Sequence, residues 1–278
     1  MAQQTINFGT APDGSGGDNR RAALEKLQGN DTELYGLVGA AQTGATAAQA
    51  TANSAVAQIS PSYIDGLRPQ YVGPQAVTFS AGASYIPSLG TVVLSNAAIA
   101  KSGLALAANT TYHCYHFVNA GASDIRIVTT APSAYRGNAC TMTGDNSSRY
   151  IGSFRTNASA QIRPFVIGAG NDFFYTDAFT TVLTAGAATS ATTVSLAGAL
   201  PSTARAARVV LRNANPSVYA TLGLPGSTLP ANYLAVCSGG TYFTTTLACD
   251  SSQGIAYAMS GTGTGGLYID VVGYQFER

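Results

Sequence analysis

LEKLQGNDTELYGLVGAAQTGATAAQATANSAVAQI, residues 24–59, is the stretch around which the rest of the chain is organised. Apolar or small residues recur in it at alternating spacings of three and four: Leu24, Leu27, Asp31, Leu34, Val38, Ala41, Ala45, Ala48, Ala52, Ala55 and Ile59. Only Asp31 interrupts the stripe. A seam with a 3.5-residue period stays on one side of a helix and cannot be buried by that helix alone, so it asks for similar helices beside it. Alanine lets those helices approach closely while contributing little burial per residue. The expectation is a thin, parallel, oligomeric coiled-coil stalk over residues 19–60. The competing reading is a frayed Ala/Gln/Thr linker. So Ala-rich a stretch matches many periods, and Gly29, Gly36, Gly39 and Gly44 each cost about 1 kcal/mol inside a helix. Asn19 to Leu37 is the firmer half: Asp18 is placed to cap it, and Arg21 and Glu25 stand at i,i+4. Ser60-Pro61 ends it, because a residue before proline is pushed out of the helical region.

Downstream the period changes. Residues 61–170 hold strand-like runs at 75–80, 91–94, 111–119, 124–130, 149–155 and 161–167, separated by turn clusters such as Asn119-Ala-Gly-Ala-Ser. Residues 171–278 hold nine more: 173–175, 180–184, 192–196, 207–212, 217–222, 233–237, 242–247, 254–259 and 266–276. Short strands about ten residues apart predict antiparallel sandwich or jelly-roll bodies. The fold class expected is therefore mainly β behind an N-terminal helical stalk, with two β bodies divided near residue 170.

The chain has 14 Lys and Arg against 13 Asp and Glu, a net charge of +1 and only 10% charged residues. That balance argues against nucleic acid or an anionic membrane as an electrostatically held partner. So low a charge suits a protein built into an assembly. No run has the 18 or more apolar residues of a membrane span. The start, Met1-Ala-Gln-Gln-Thr, has neither the basic nor the apolar part of a signal peptide, so synthesis in a cytosol is expected. Cys114, Cys140, Cys237 and Cys249 are too few for a disulfide scaffold and are expected as packed thiols, although Cys237 and Cys249 could face each other across a hairpin.

Two motifs carry a resemblance. The run Gln4-Thr-Ile-Asn-Phe-Gly-Thr-Ala-Pro-Asp-Gly-Ser-Gly-Gly-Asp18 is followed by Arg20-Arg-Ala-Ala-Leu-Glu-Lys-Leu27 and then Asn30-Asp-Thr-Glu-Leu-Tyr35. It is similar to the N-terminal module of bacteriophage and prophage tail fibres, departing where that module has two phenylalanines, near Ala23 and Asp31. Thr111-Tyr-His-Cys-Tyr-His-Phe117, Thr129-Thr-Ala-Pro-Ser-Ala-Tyr135 and Thr143-Gly-Asp-Asn-Ser-Ser-Arg-Tyr-Ile-Gly-Ser-Phe-Arg-Thr156 resemble, in that order, a second module of phage tail proteins. The resemblance implies a fibrous homotrimer in the virion tail, made in the host cytoplasm. Residues 1–18 would attach it to the tail or baseplate, and residues 171–278 would meet a host-surface glycan or protein. It leaves two rivals open: a purely structural tail or baseplate component, and a glycan-depolymerising tail spike.

Catalytic patterns are weak. His113 and His116 fall on opposite faces of one strand and cannot clamp one ion from it. They are the chain's two histidines, and a structural zinc takes four ligands. Packed histidines are expected; three copies of one histidine around a trimer axis would be the exception. Gly261-Thr-Gly-Thr-Gly-Gly266 fits G-x-G-x-x-G, but a strand follows it where a dinucleotide site needs a helix. It is expected as a hairpin turn. The carboxylates after the stalk offer no evident pair for glycoside hydrolysis. The expectation is a protein without catalysis, cofactor or metal. Tyrosine, with its apolar face and polar tip, suits glycan contacts. Tyr219, Tyr233, Tyr242, Phe243 and Tyr257 are the candidate receptor residues, each with the competing reading of a core aromatic. Arg205, Arg208 and Arg212 would form an anionic-glycan patch, except that strand alternation sets Arg205 on the opposite face.

Overall fold

A computed structural model describes residues 4–11, 13–58 and 61–278. The chain divides into two compact units, Met1–Ile59 and Ser60–Arg278.

The first unit is one continuous helix, α1 (Arg20–Gln58, 39 residues), with a folded N-terminal loop. The four glycines do not break it, since Ala, Leu and Gln dominate its composition. The expected cap is shifted by one residue: Asn19, not Asp18, accepts the Ala22 N–H through its side chain (2.9 Å). Asp18 instead accepts from the Asn7 N–H (2.8 Å) and from Lys26 Nζ (2.7 Å), bracing the loop against the first turns. Asn30 exchanges two hydrogen bonds with the Gln4 backbone, at 2.9 Å each. The loop is tight enough to need glycine. Gly9 has φ +73°, and a Cβ there would lie 2.1 Å from the Gly14 carbonyl oxygen. Arg21 and Glu25 pair at 3.0 Å.

The second unit is mainly β, and every strand pairing among the described residues is antiparallel. Its strands in chain order are β1 (Ile64–Gly66), β2 (Pro69–Gly73), β3 (Ala76–Phe79), β4 (Gly82–Ile86), β5 (Thr91–Ser95), β6 (Ile99–Lys101) and β7 (Thr111–Asn119). They continue with β8 (Ala122–Val128), β9 (Pro132–Arg136), β10 (Ala139–Met142), β11 (Asp145–Arg155), β12 (Phe165–Ile167), β13 (Asp172–Tyr175) and β14 (Thr180–Gly186). The last seven are β15 (Thr192–Ser195), β16 (Ala204–Asn213), β17 (Ala220–Gly223), β18 (Ala235–Cys237), β19 (Tyr242–Ala248), β20 (Gly254–Met259) and β21 (Leu267–Phe276).

Two small sheets run β1-β4-β5 and β2-β3-β6, and a larger one runs β8-β7-β11-β10-β9. A further sheet runs β12-β13-β21-β16-β19, with β14 also on β21, and the last runs β15-β20-β17-β18. The 61–170 and 171–278 halves share one hydrophobic core. The reason is visible near the expected boundary: β12 and β13 pair across residue 170, and their rings continue into β21. Phe165 stacks on Phe173 (4.7 Å between centroids), and Phe173 on Tyr274 (4.5 Å).

The expected hairpin at Gly261–Gly266 is not one. β20 and β21 belong to different sheets, so the glycine-rich loop carries the chain from one sheet to the other. β18 and β19 do not pair either, and Cys237 and Cys249 are free thiols, as are Cys114 and Cys140. Burial pushes the Cys114 thiol well above its ordinary value.

Candidate functional site

β16 alternates cleanly. Ala207, Val209, Leu211 and Asn213 are buried, while Arg208, Val210 and Arg212 face outward on a partly exposed surface. β19 adds Tyr242, Thr244 and Thr246 to that surface, and β21 adds Tyr268 and Asp270. Register decides which of these meet. Arg212 lies directly opposite Tyr242 on one side and Tyr268 on the other, so the three form one cross-strand row. The guanidinium carbon of Arg212 stands 3.7 Å from the Tyr268 ring centre. Beyond it, Thr244, Val210 and Asp270 form the next row, with Asp270 accepting a hydrogen bond from the Thr181 hydroxyl.

Past Arg212 the chain turns inward. Asn213 is buried and donates through Nδ2 to the carbonyls of Val218 (2.7 Å) and Cys237 (3.2 Å). Asn215, also buried, accepts the Ser217 N–H at 3.0 Å. The loop Gly261–Gly265 lies over this segment and, with Ala187, Asn215 and Met259, encloses a cavity of about 160 Å³. Gly265 has φ +90°, and a Cβ on it would lie 2.6 Å from the Ala214 carbonyl oxygen, so the loop sits this close only with glycine there. The open row and the small cavity thus flank the same end of β16.

The sequence candidates separate. Tyr242 is 72% exposed and belongs to the row; Phe243, its neighbour, points to the opposite face beside Leu211. Tyr219 is 45% exposed, and its N–H donates to Ser260 Oγ, next to the glycine-rich loop. Tyr233 is exposed in the loop leading into β18, which joins β17 and β18 at the Leu222–Ala235 end of their pairing. The cavity lies by Met259, opposite Ala220 at the other end of β17. Tyr257 is a core residue, 4% exposed, with its hydroxyl accepting the Ala188 N–H, and from there it cannot touch a receptor. Tyr268 and Asn215 were missed. Their partners come from strand register and a loop crossing, neither of which a residue pattern records.

Of the three arginines, Arg205 leaves the inner row at a bulge and pairs with Glu277 (2.8 Å), and Arg208 pairs with Asp172 (2.7 Å). Other carboxylates of the unit are also engaged: Asp124 by Lys101 (2.6 Å), Asp145 by Arg126 (3.1 Å) and Asp177 by Arg163 (2.7 Å). Burial alone would raise the Asp124 carboxyl, but the Lys101 hydrogen bond and the Ile125 N–H outweigh it and hold the carboxyl below its ordinary value.

The histidines are packed into separate networks. His116 is bonded on both ring nitrogens, to Ser84 Oγ (2.7 Å) and Ser123 Oγ (2.8 Å), and His113 Nδ1 to Ser153 Oγ (2.8 Å). Burial lowers both to a pKa of about 4. Among the described residues, no three His, Cys, Asp or Glu side chains are grouped as metal ligands would be.

The helix leaves its apolar stripe exposed. Leu24, Leu27, Leu34 and Val38 are each about half exposed, and Ala41, Ala45, Ala48 and Ala52 are exposed. The side chain of Ala55, and Ile59 as a whole, lie outside the described residues. No described helix is long and apolar enough to cross a membrane. Neither a protein-family model nor a curated protein matches the chain.

Proposed function

We propose that this chain is a tail-fibre adhesin of a bacteriophage or prophage. The observation that carries the reading is the seam of α1: a 39-residue helix leaving Leu24, Leu27, Leu34 and Val38 uncovered. Fully burying one leucine is worth about 1.5–3 kcal/mol, so a helix with this stripe gains by coiling with identical copies. The proposed assembly is a parallel homotrimer, as the resemblance implies, with the sheets of residues 61–278 as sandwich-type bodies. Residues 1–18 are the proposed attachment to tail or baseplate proteins. The Tyr- and Thr-rich face of β16, β19 and β21 is the proposed contact with a host-surface glycan. Three weak sites on one trimer, and several fibres on one virion, raise avidity well above single-site affinity.

A glycan-cleaving spike is the weaker reading, because a general acid needs a carboxyl held in its protonated form. Here Asp124, Asp145, Asp172, Asp177 and Glu277 are each bound to a cation. The test is competition. Host cells are coated with the purified full chain, and virions that still adsorb are counted. Dose-dependent blocking supports the adhesin; no blocking by an assembled trimer points to a structural tail component, and released oligosaccharide to a spike.

A further inference from the structure

Residues 61–278 contain eleven basic and eight acidic side chains. Most of the cations are answered internally. Lys101, Arg126, Arg163, Arg205 and Arg208 pair with carboxylates. Arg68, Arg149 and Arg278 donate to backbone carbonyls, and Arg155 to the Thr111 hydroxyl. Two have neither a carboxylate nor a hydrogen-bond acceptor among the described residues: Arg136, exposed at the end of β9, and Arg212. Arg212 has instead the Tyr268 ring, which orders the guanidinium without neutralising it. The nearest carboxylate in the adjoining row, Asp270, accepts from Thr181.

From this geometry we infer that Arg212 selects a carboxylate-bearing saccharide, such as a hexuronic acid, with the exposed Tyr242 ring offering its face to the pyranose. The inference rests on the glycan-binding reading above. A guanidinium stacked on a ring keeps its N–H edge free, and that planar fork matches the two oxygens of one carboxylate. Little side-chain entropy remains to be lost, because the stack already holds the group. A phosphate-bearing glycan fits less well: its higher charge calls for a second cation, and Arg208, the next basic residue on this face, is already closed by Asp172.

The probes are hexuronate-containing capsular oligosaccharides, each beside its carboxyl-reduced neutral counterpart, titrated onto the immobilised full chain. The expected result is about tenfold or greater preference for the acidic member, weakened by added salt. R212Q should abolish that preference. R212K should keep only part of it, since an ammonium retains the charge but not the stacked fork. R205Q, altering an exposed arginine paired with Glu277, should leave it unchanged. Equal binding of acidic and reduced oligosaccharides, or an R212Q variant that keeps the preference, overturns the carboxylate assignment while leaving glycan binding intact. Binding of neither form of any member overturns the glycan reading itself.

Discussion

Tyr150 and Thr203 share a buried hydrogen bond of 2.7 Å between their hydroxyls. The Tyr150 oxygen also lies 2.8 Å from Ser153 Oγ, which is in turn bonded to His113. Tyr150 is in β11, and Thr203 immediately precedes β16. The bond therefore joins parts of the chain that read in sequence as separate bodies. Removing the phenol oxygen leaves the Thr203 hydroxyl buried without that partner, which costs about 1–3 kcal/mol. Tyr150→Phe should lower the unfolding free energy from urea melts by that amount while the β unit still melts in one transition. Two transitions, with only one shifted, would show that the halves fold independently.

Acid should destabilise the β unit through its two buried histidines. His113 and His116 are held neutral by burial, with pKa values lowered from about 6.5 to about 4, the Asp124 charge partly opposing burial at His116. Between those values the unfolded chain binds more protons than the folded one, so stability falls as pH falls. The contribution is complete above the unfolded value and lost progressively between pH 6.5 and 4. It is worth roughly 3 kcal/mol per histidine, since each tenfold loss of proton affinity on folding corresponds to about 1.4 kcal/mol. Urea melts at about pH 7.5 and about pH 4.5 should differ by several kcal/mol, and His113→Phe should reduce the difference. A flat profile over that window would mean that both histidines are charged in the folded state.

How much of this was legible in the sequence depended on element length. β7 was legible to the residue, because nine consecutive residues rich in β-formers lie between turn clusters. The three-residue strands β1 and β6 carry too little alternation to read, and β2 and β4 include glycine or proline. The helix was legible from its period, but the cap was not: Asp18 and Asn19 are both good caps, and the Lys26 ammonium claims the first. At the site, Tyr242 and Arg212 were visible as residue types. Their partnership was not, because register is fixed by the whole sheet, and Tyr257 looked no different from Tyr242 until burial separated them.

The seam of α1 makes a prediction that concerns mass, not binding. Leu34→Asp would set a carboxylate into the proposed interface once per copy, losing about 1.5–3 kcal/mol of burial in each before any charge repulsion is counted. Sedimentation equilibrium should show self-association weakened at least about tenfold. Gln42→Asp, one residue off the seam, should leave the mass unchanged. If both variants sediment as the parent does, the helix is not what holds the copies together.

Tyr242 and Tyr257 separate an exposed position from a core one. Tyr257 is inside, opposite Thr192 on one side and Leu222 on the other, so Tyr257→Ala opens a cavity and should cost about 3–5 kcal/mol. Tyr242 is mostly in solvent at the edge of its sheet. Tyr242→Ala should change stability by no more than about 0.5 kcal/mol. Its effect should fall on the row instead. Without the ring beside Arg212, the face offered to a pyranose is gone, and adsorption blocking should need about tenfold more protein, in keeping with the roughly 1–3 kcal/mol that stacked aromatic contacts carry elsewhere. A Tyr242→Ala variant that melts normally and blocks normally would move the receptor site away from this face. The exposed Tyr233, in the loop before β18, would then be the next residue to change.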